Sequence, residues 1–300
     1  MQALERARES LDGLSVGDAF GECFIHMPPS AVISTVQQRA VPPAPWPYTD
    51  DTEMALTLYA SLRLRAGIEV DWIAQSFAEN QDLDRGYGRG MWLLLSAIRH
   101  GYPWRHAAPS LFEGNGSYGN GAAMRVAPVG AYFADDLDLV IEQAHYSAEV
   151  THCHPEGIAG ALAIALAAAW ACRDRQAGEF ARGPAFLERI WPLLPPSQVR
   201  EGIRRAQDVA PDQMPILAAK ALGNGSHITA QDTVPFVLWC AAGSPDDYPA
   251  ALWRTVSGFG DIDTNCAMVG GIVACATGCA GIPSAWLAAR EPLPHWSLAE

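Results

Sequence analysis

The sequence predicts an all-α protein that folds as one compact multi-helix bundle. Apolar residues recur at intervals of three and four along most of the chain, whereas alternating, strand-like runs are scarce. Apolar residues make up 49% of the 300 positions and charged residues 18%, a balance typical of a folded globular protein. No serine-rich or charged linker interrupts the pattern, so we expect residues 1–300 to form a single domain.

The predicted helices follow one another along the chain, with short turns between them. The opening residues, MQALERARESLDGLSVGDAFGE, lack the apolar core of a signal peptide and predict the first helix of the fold. Further helices are predicted at 55–65, 71–79, 91–99, 138–147, 157–172, 197–206, 233–242 and 264–279. The alanine-rich helix at 157–172 has about sixteen residues, fewer than the roughly 20 that cross a bilayer, so we expect it to be buried.

Charge and cysteine content narrow the classes of function. A net charge of −13 makes non-specific binding of nucleic acid unexpected, because neutralising phosphates requires clustered Lys and Arg. The negative charge of an anionic ligand would have to be compensated at its binding site, by helix N-termini, glycine-rich turns or bound cations. The seven cysteines form no CxxC pair, which favours buried reduced thiols in a cytoplasmic protein. Because the longest apolar stretch is too short to cross a bilayer, we expect no membrane association.

The segment TDDTE precedes an apolar, helix-forming run. Asp50 as N-cap, with Glu53 three residues later, would satisfy free backbone N–H groups at the helix start. For an isolated motif a cap is the ordinary interpretation. Two adjacent carboxylates flanked by two threonines, Thr49, Asp50, Asp51 and Thr52, exceed what a cap requires, so hard metal ligands are the alternative.

A second segment of the same type, GFGDIDTNCAMVGG, places Asp261, Asp263 and Thr264 at another helix start. Its D-x-D-x-N pattern matches the beginning of a calcium-binding loop. That loop requires glycine at its sixth position and glutamate at its twelfth, where this chain has Cys266 and Ile272, so the calcium-hand interpretation is excluded. A second helix cap and a set of oxygen ligands remain.

Two such clusters fit one binuclear metal site better than two unrelated caps. Carboxylate and hydroxyl oxygens suit Mg²⁺ or Mn²⁺, whereas zinc prefers His and Cys. Several aspartates close together would repel one another, and two divalent cations would remove that penalty. Gly270 and Gly271 lower the helix propensity of the segment that follows, which indicates close packing at the centre of the bundle.

The segment EGNGSYGNGAAMR, residues 113–125, contains four glycines. Such a loop can turn successive N–H groups toward one point and so hold phosphate oxygens. It lacks the Gly-Lys-Ser/Thr ending of a P-loop, and a plain surface turn is the alternative.

The segment THCHPEG places His152 and His154 just before a helix. For this pair we favour local hydrogen bonding, or orientation of a ligand, over zinc binding.

Five segments in chain order resemble those of the ADP-ribosylglycohydrolase family: GDAFGE, YTDDTEMAL, GSYGNGAAMRVAP, THCHPEG and GDIDTNCAMVGG. They extend from about residue 11 to about residue 280. The resemblance implies an all-α orthogonal bundle that holds two Mg²⁺ or Mn²⁺ ions. It also implies a hydrolase that cleaves the N- or O-glycosidic bond between ADP-ribose and a modified protein or other acceptor, releasing ADP-ribose.

The resemblance also assigns residues. One metal would be held by Thr49, Asp50 and Asp51, and the other by Asp261 and Thr264, with Asp263 bridging. The diphosphate would be cradled by Gly116, Ser117, Tyr118, Gly119 and Asn120. Phe112 and Tyr118 would stack on adenine, and His154 would contact a ribose.

One position departs from the family pattern. Many members carry a proposed acid/base glutamate several residues after the Gly-Asp pair, where this chain has Ile25. Glu22 is the candidate for that role, with Asp263 as the second catalytic residue. Other readings are an aspartate as base, an ADP-ribose-binding module without catalysis, and a phosphohydrolase that releases AMP and ribose phosphate. The acceptor-facing loops, around 26–47, do not identify the acceptor.

Overall fold

The computed structural model describes residues 2–294 and 296, and its regular elements are helices. No β-strand occurs within these residues; the sheet-like contacts are two isolated bridges, Trp46 with Arg290 and Gly119 with Thr229. The all-α prediction is therefore confirmed.

The α-helices are numbered in chain order. They are α1 Ala3–Ile25, α2 Pro29–Gln38, α3 Asp50–Arg65, α4 Val70–Asn80, α5 Arg89–Arg99, α6 Trp104–Gly114, α7 Gly121–Met124, α8 Ala127–Tyr132, α9 Leu137–Glu149, α10 Pro155–Ala177, α11 Pro184–Ile190, α12 Gln198–Gln207, α13 Pro215–Leu222, α14 Ala230–Gly243, α15 Tyr248–Val256, α16 Ile262–Thr277 and α17 Ser284–Ala289. Every predicted helix is present, with ends shifted by a few residues. The sequence analysis missed several short helices that begin at or beside a proline, among them α2, α11, α13 and α15.

Helices α1 and α16 pack against each other at the centre of the molecule. Glycines bring their backbones into direct contact: a Cβ added to Gly17 would lie 2.2 Å from the carbonyl oxygen of Cys266. Gly13 and Gly270 meet in the same way, since a Cβ on Gly270 would lie 2.3 Å from the carbonyl oxygen of Gly13. Close packing thus offsets the low helix propensity of glycine, as the sequence indicated.

Helix α10 packs against α8, α9 and α16 and forms much of the core. It has 23 residues, so the predicted length of about sixteen was too short. By length and composition alone α10 could cross a membrane, but 78% of its apolar window is buried inside the fold. Burial among the other helices, rather than insufficient length, identifies it as a core helix. All seven cysteines are free thiols.

An aromatic cluster fixes the segment that enters α3. Trp46 is fully buried, with its ring 5.4 Å from that of Phe20 and 5.7 Å from that of Trp286. The Trp46 N–H donates to the carbonyl oxygen of Ala289 at 2.7 Å. The start of α3 is therefore held against α1 and α17.

The α1–α16 contact predicts the effect of a single methyl group. Gly17→Ala should lower the free energy of unfolding by about 2 kcal/mol or more, because the new Cβ meets backbone that cannot move without separating the helices. Gly88→Ala is the control, since Gly88 has a φ of −60° and open space around it; its effect should stay within about 0.5 kcal/mol. Urea denaturation measures both, and equal small effects would contradict the packing argument.

Candidate active site

Thr49 is the N-cap of α3, and its hydroxyl accepts a hydrogen bond from the Asp51 N–H at 3.4 Å. The prediction that Asp50 caps this helix is therefore wrong by one residue. Glu53, expected to complete the cap, turns away: its carboxylate accepts from the Asp82 N–H at 3.0 Å and the Tyr87 hydroxyl at 2.6 Å. Asp50 and Asp51 are thus released from capping.

Asp18, on α1, meets the start of α3, and the sequence analysis did not assign it a role. Its carboxylate is fully buried and accepts from the N–H groups of Thr49 at 3.0 Å and Thr52 at 3.1 Å. It also accepts from both threonine hydroxyls, at 2.9 Å and 2.5 Å respectively. The available signal was the segment GDAFGE, in which Asp18 stands four residues before Glu22 and so shares its helix face.

The two acidic clusters of the sequence meet in space. One carboxylate oxygen from each of Asp18, Asp51 and Asp263 lies within 4.8 Å of the others. The hydroxyl of Thr264 lies 3.4 Å from Asp51 Oδ2, and the side-chain amide of Asn120 donates to Asp261 Oδ2 at 2.7 Å. Helices α1, α3 and α16 thus bring together carboxylates that lie more than 200 positions apart in the chain.

Two carboxylate oxygens in this cluster are buried without a partner. Asp51 is 1% exposed, and its Oδ1 accepts no hydrogen bond from any described residue; the same is true of Asp263 Oδ1. An unpartnered buried oxygen is costly unless a ligand completes it. The surrounding donor set is oxygen from carboxylates and hydroxyls, which fits Mg²⁺ or Mn²⁺.

Burial raises the pKa of every aspartate in the cluster. The pKa values of Asp18 and Asp261 rise to about 7, in both cases through burial and then through the neighbouring Asp263. The pKa values of Asp50 and Asp51 are raised well above the ordinary range by burial and by the charges of Asp18 and Asp263. Without a cation, the cluster therefore resists full ionisation at neutral pH.

The carboxylates line a cavity of about 420 Å³, which is within the usual size range of small-molecule sites. Asp50, Asp51, Asp261 and Asp263 share its wall with Phe112 and Tyr118. Among the described residues of the lining, Arg89 is the one Lys or Arg side chain, and it is exposed. The sequence analysis did not single out Arg89.

The aromatic pair stands beside the glycine-rich loop. The Phe112 and Tyr118 rings are 6.1 Å apart and inclined by 37°, and the two side chains are 53% and 39% exposed. Phe112 has a φ of 51°, in the left-handed region that non-glycine residues rarely adopt. Because this backbone conformation is strained, contacts with the surrounding structure must hold Phe112, and with it the exposed ring, in place.

The loop at 116–120 is fixed at several points. A Cβ on Gly116, whose φ is +72°, would lie 2.5 Å from Cys153 Sγ, so glycine is required there. The N–H groups of Gly116, Gly119 and Asn120 already donate within the protein, to Leu111 O, Ser117 Oγ and Ile228 O. Those of Ser117 and Tyr118 donate to no acceptor in the described chain, so the predicted cradle has two free backbone donors rather than five.

The two histidines occupy different environments. His152 lines the cavity; burial, followed by the charge of Arg125, lowers its pKa to about 3 and keeps it neutral. His154 is the N-cap of α10 and accepts from the Glu156 N–H at 3.1 Å. Its ring lies 5.3 Å from that of Tyr118 and is not part of the cavity lining. The structure thus places His152 at the wall, where the sequence analysis expected His154.

Glu22 lies on α1, one turn after Asp18. Its carboxylate is 23% exposed and 3.9 Å from His26 Nε2. Burial and the charge of Asp263 raise its pKa. It is near the carboxylate cluster but outside the lining of the cavity, and Ile25, one turn further on, is exposed.

A model of the ADP-ribosylglycohydrolase family matches residues 1–299. The chain belongs to the ADP-ribosylglycohydrolase family. This confirms the resemblance inferred from the five sequence segments.

Individual proteins align with nearly the whole chain. The protein is 29% identical to ADP-ribosylhydrolase ARH3 of Homo sapiens, over 95% of this chain and 89% of that one. It is 31% identical to an uncharacterized protein of Archaeoglobus fulgidus, over 94% and 90% of the two chains. A solved structure, titled ADP-ribosylglycohydrolase-related protein complex, matches with a TM-score of 0.61 and 24% identity over 97% and 93% of the chains, which supports the fold.

The raised pKa values predict how stability of this ADP-ribosylglycohydrolase depends on pH. Asp18 and Asp261 ionise near 3.8 when unfolded and near 7 when folded, so their contribution to stability is present below pH 3.8 and lost as pH rises through about 7. In EDTA, the melting temperature should therefore fall between about pH 4 and about pH 7. Added Mn²⁺ should raise it more at the higher pH, because cations and protons compete for the carboxylates.

Thermal unfolding followed by intrinsic fluorescence measures this dependence. Asp261→Asn serves as the control: without that ionisation, the fall in melting temperature should be shallower. A melting temperature that rises over the same interval in EDTA would contradict the prediction.

Proposed function

We propose that the protein is a divalent-cation-dependent hydrolase that cleaves the glycosidic bond between ADP-ribose and an acceptor, reversing mono-ADP-ribosylation. The observation that carries the proposal is one cavity that joins unpartnered, buried carboxylates to an exposed aromatic pair and a glycine-rich loop. Membership of the ADP-ribosylglycohydrolase family and the ARH3 relatives support the same activity.

The aromatic end of the cavity suits the adenosine half of such a substrate. Phe112 and Tyr118 present exposed ring faces on which adenine can stack. The free N–H groups of Ser117 and Tyr118 suit the diphosphate oxygens. Arg89 adds a positive charge to a lining that otherwise carries aspartates, and so lowers the repulsion of a dianionic ligand.

The carboxylate end suits the reacting ribose. In the proposed arrangement Thr49, Asp50 and Asp51 would hold one cation, Asp261 and Thr264 would hold the other, and Asp263 would contribute to both. The cations, when bound, supply Lewis acidity that polarises hydroxyl or water oxygens. Negative aspartates around the anomeric carbon stabilise the positive charge that develops there as the glycosidic bond breaks.

Glu22 is the proposed general acid/base, with Asp263 as its partner. A carboxyl whose pKa is raised keeps its proton to higher pH, and a protonated carboxyl can donate to a leaving group. Glu22 gains this property from burial and from the nearby charge of Asp263.

A second candidate function is an ADP-ribose-binding module without catalysis. It is favoured by Ile25 at the position of the family glutamate and by the location of Glu22 outside the cavity lining. Both candidates predict cation-linked binding of ADP-ribose, and they differ only in turnover.

A substrate panel separates the candidates. With arginine- and serine-linked mono-ADP-ribosyl peptides, we expect intact ADP-ribose to be released with Mg²⁺ or Mn²⁺ and not with EDTA, as measured by chromatography. Asp263→Ala should lower kcat at least a thousandfold, and Glu22→Gln at least a hundredfold. The control is Asp208→Asn, which changes a largely exposed carboxylate on the surface and should leave kcat unchanged. Tight binding with no release on any linkage would favour the module, and AMP as product would indicate a phosphohydrolase.

Loss of the aromatic faces should weaken binding more than catalysis. Phe112→Leu and Tyr118→Ala should each raise KM by about tenfold, because stacking on a base contributes about 1–3 kcal/mol, while kcat should change by less than about threefold. Tyr102→Ala removes an exposed ring that does not line the cavity and serves as the control. Steady-state kinetics on one linkage would test this, and a loss confined to kcat would exclude a stacking role.

A further inference from the structure

We infer that Asp18 is a positioning residue that accepts the hydrogen bond of the Thr49 hydroxyl and thereby turns a lone pair of that oxygen toward a divalent cation beside Asp51. The inference rests on the proposed cation site and goes beyond it, because it assigns a role to a carboxylate that is not itself proposed as a ligand.

The hydrogen bonds of Asp18 distinguish it from the other aspartates. A carboxylate has about four acceptor positions. Asp18 accepts four hydrogen bonds: Oδ2 from the Thr49 N–H, the Thr52 N–H and the Thr52 hydroxyl, and Oδ1 from the Thr49 hydroxyl. Asp51 and Asp263 each retain an oxygen that no described residue contacts. Both oxygens of Asp18 therefore have protein partners, three at Oδ2 and one at Oδ1, while Asp51 and Asp263 each keep an oxygen for a ligand.

The Thr49 hydroxyl has one proton and two carboxylate neighbours. Thr49 Oγ lies 2.9 Å from Asp18 Oδ1 and 3.0 Å from Asp51 Oδ2. Among the described residues, Thr49 is the donor available to Asp18 Oδ1, whereas the Thr264 hydroxyl also approaches Asp51 Oδ2 at 3.4 Å. The proton therefore belongs on the Asp18 side.

With its O–H directed at Asp18 Oδ1, Thr49 Oγ faces Asp51 Oδ2 as one acceptor facing another. Two such oxygens repel unless a cation lies next to both. Neighbouring oxygens on an octahedral Mg²⁺ ion, at about 2.05 Å from the metal, are separated by about 2.9 Å. The observed 3.0 Å between Thr49 Oγ and Asp51 Oδ2 matches that separation. That spacing is also within the range of an O–H···O hydrogen bond, so it is the direction of the Thr49 O–H toward Asp18 that assigns the pair to one cation.

The role of Asp18 can be measured by Mn²⁺ affinity, which requires no substrate. In Asp18→Asn a side-chain N–H replaces one acceptor. Where it faces Thr49, it donates to Oγ and turns the hydroxyl proton toward Asp51. We expect Mn²⁺ affinity, by calorimetry on the full chain, to fall at least tenfold. Thr52→Val removes another donor to Asp18 without altering the Thr49 hydroxyl. It should lower the melting temperature but leave Mn²⁺ affinity within about threefold of the unmodified protein.

A double-mutant cycle separates positioning through Thr49 from a general structural effect. Thr49→Val should weaken Mn²⁺ binding and Thr49→Ser should not. If Asp18 acts through this hydroxyl, adding Asp18→Asn to Thr49→Val should lower Mn²⁺ affinity by less than about threefold beyond the effect of Thr49→Val alone. The Thr49 variants keep the test decisive if Asp18→Asn does not fold. Unchanged Mn²⁺ affinity in Asp18→Asn or in Thr49→Val would overturn the inference.

Failure of the inference is distinguishable from failure of the proposed function. Tight Mn²⁺ binding that depends on Asp18, with no release of ADP-ribose from any linkage, would support the inference and count against the hydrolase. Release of ADP-ribose together with Mn²⁺ binding that does not depend on Asp18 would support the hydrolase and contradict the inferred role of Asp18.

Discussion

Several aspartates are buried at one point, and none of them forms an ion pair with a lysine or arginine of the described residues. The arrangement of α1, α3 and α16 depends on this constraint. Such a cluster is unfavourable because burial and mutual repulsion both oppose ionisation. The protein offsets part of this unfavourable energy, because backbone N–H groups and hydroxyls at the start of α3 donate hydrogen bonds to Asp18. The oxygens of Asp51 and Asp263 that remain unpartnered are those that the proposed cations would contact.

The same glycines that pack the core also set the geometry of this cluster. A Cβ on Gly21 would lie 2.6 Å from the Cα of Asp263, so the backbone of α1 touches the first turn of α16 where the carboxylates converge. Gly17 makes a similar contact one turn earlier along α1. A change that separates these helices would therefore move Asp18 relative to Asp263 as well as reducing core packing. Stability and ligand geometry depend on one interface.

Local sequence signals were sufficient for the long helices and for the two acidic clusters, because periodicity and capping chemistry act over a few residues. They located Asp51 and Asp263, and the tertiary structure brought them together. They missed Asp18, whose role depends on α3 approaching the middle of α1, and they chose His154 over His152 because only the path of the chain decides which ring reaches the cavity. Short proline-initiated helices were missed because they contain too few turns to show periodicity.

The charge of the cavity implies that cation and ligand binding are coupled on the proposed function. Four aspartates and one arginine, Arg89, are the Asp, Glu, Lys and Arg residues of the lining within the described residues. A dianionic diphosphate is therefore repelled to the extent that these aspartates are ionised when cations are absent. Cations reverse that balance, and thermodynamic linkage requires that the ligand then strengthens cation binding by the same factor. On the inferred role of Asp18, this residue would contribute to the coupling indirectly, through the Thr49 hydroxyl that donates to it. A carboxylate whose two oxygens both have protein partners would then set the affinity of a cation that it does not touch.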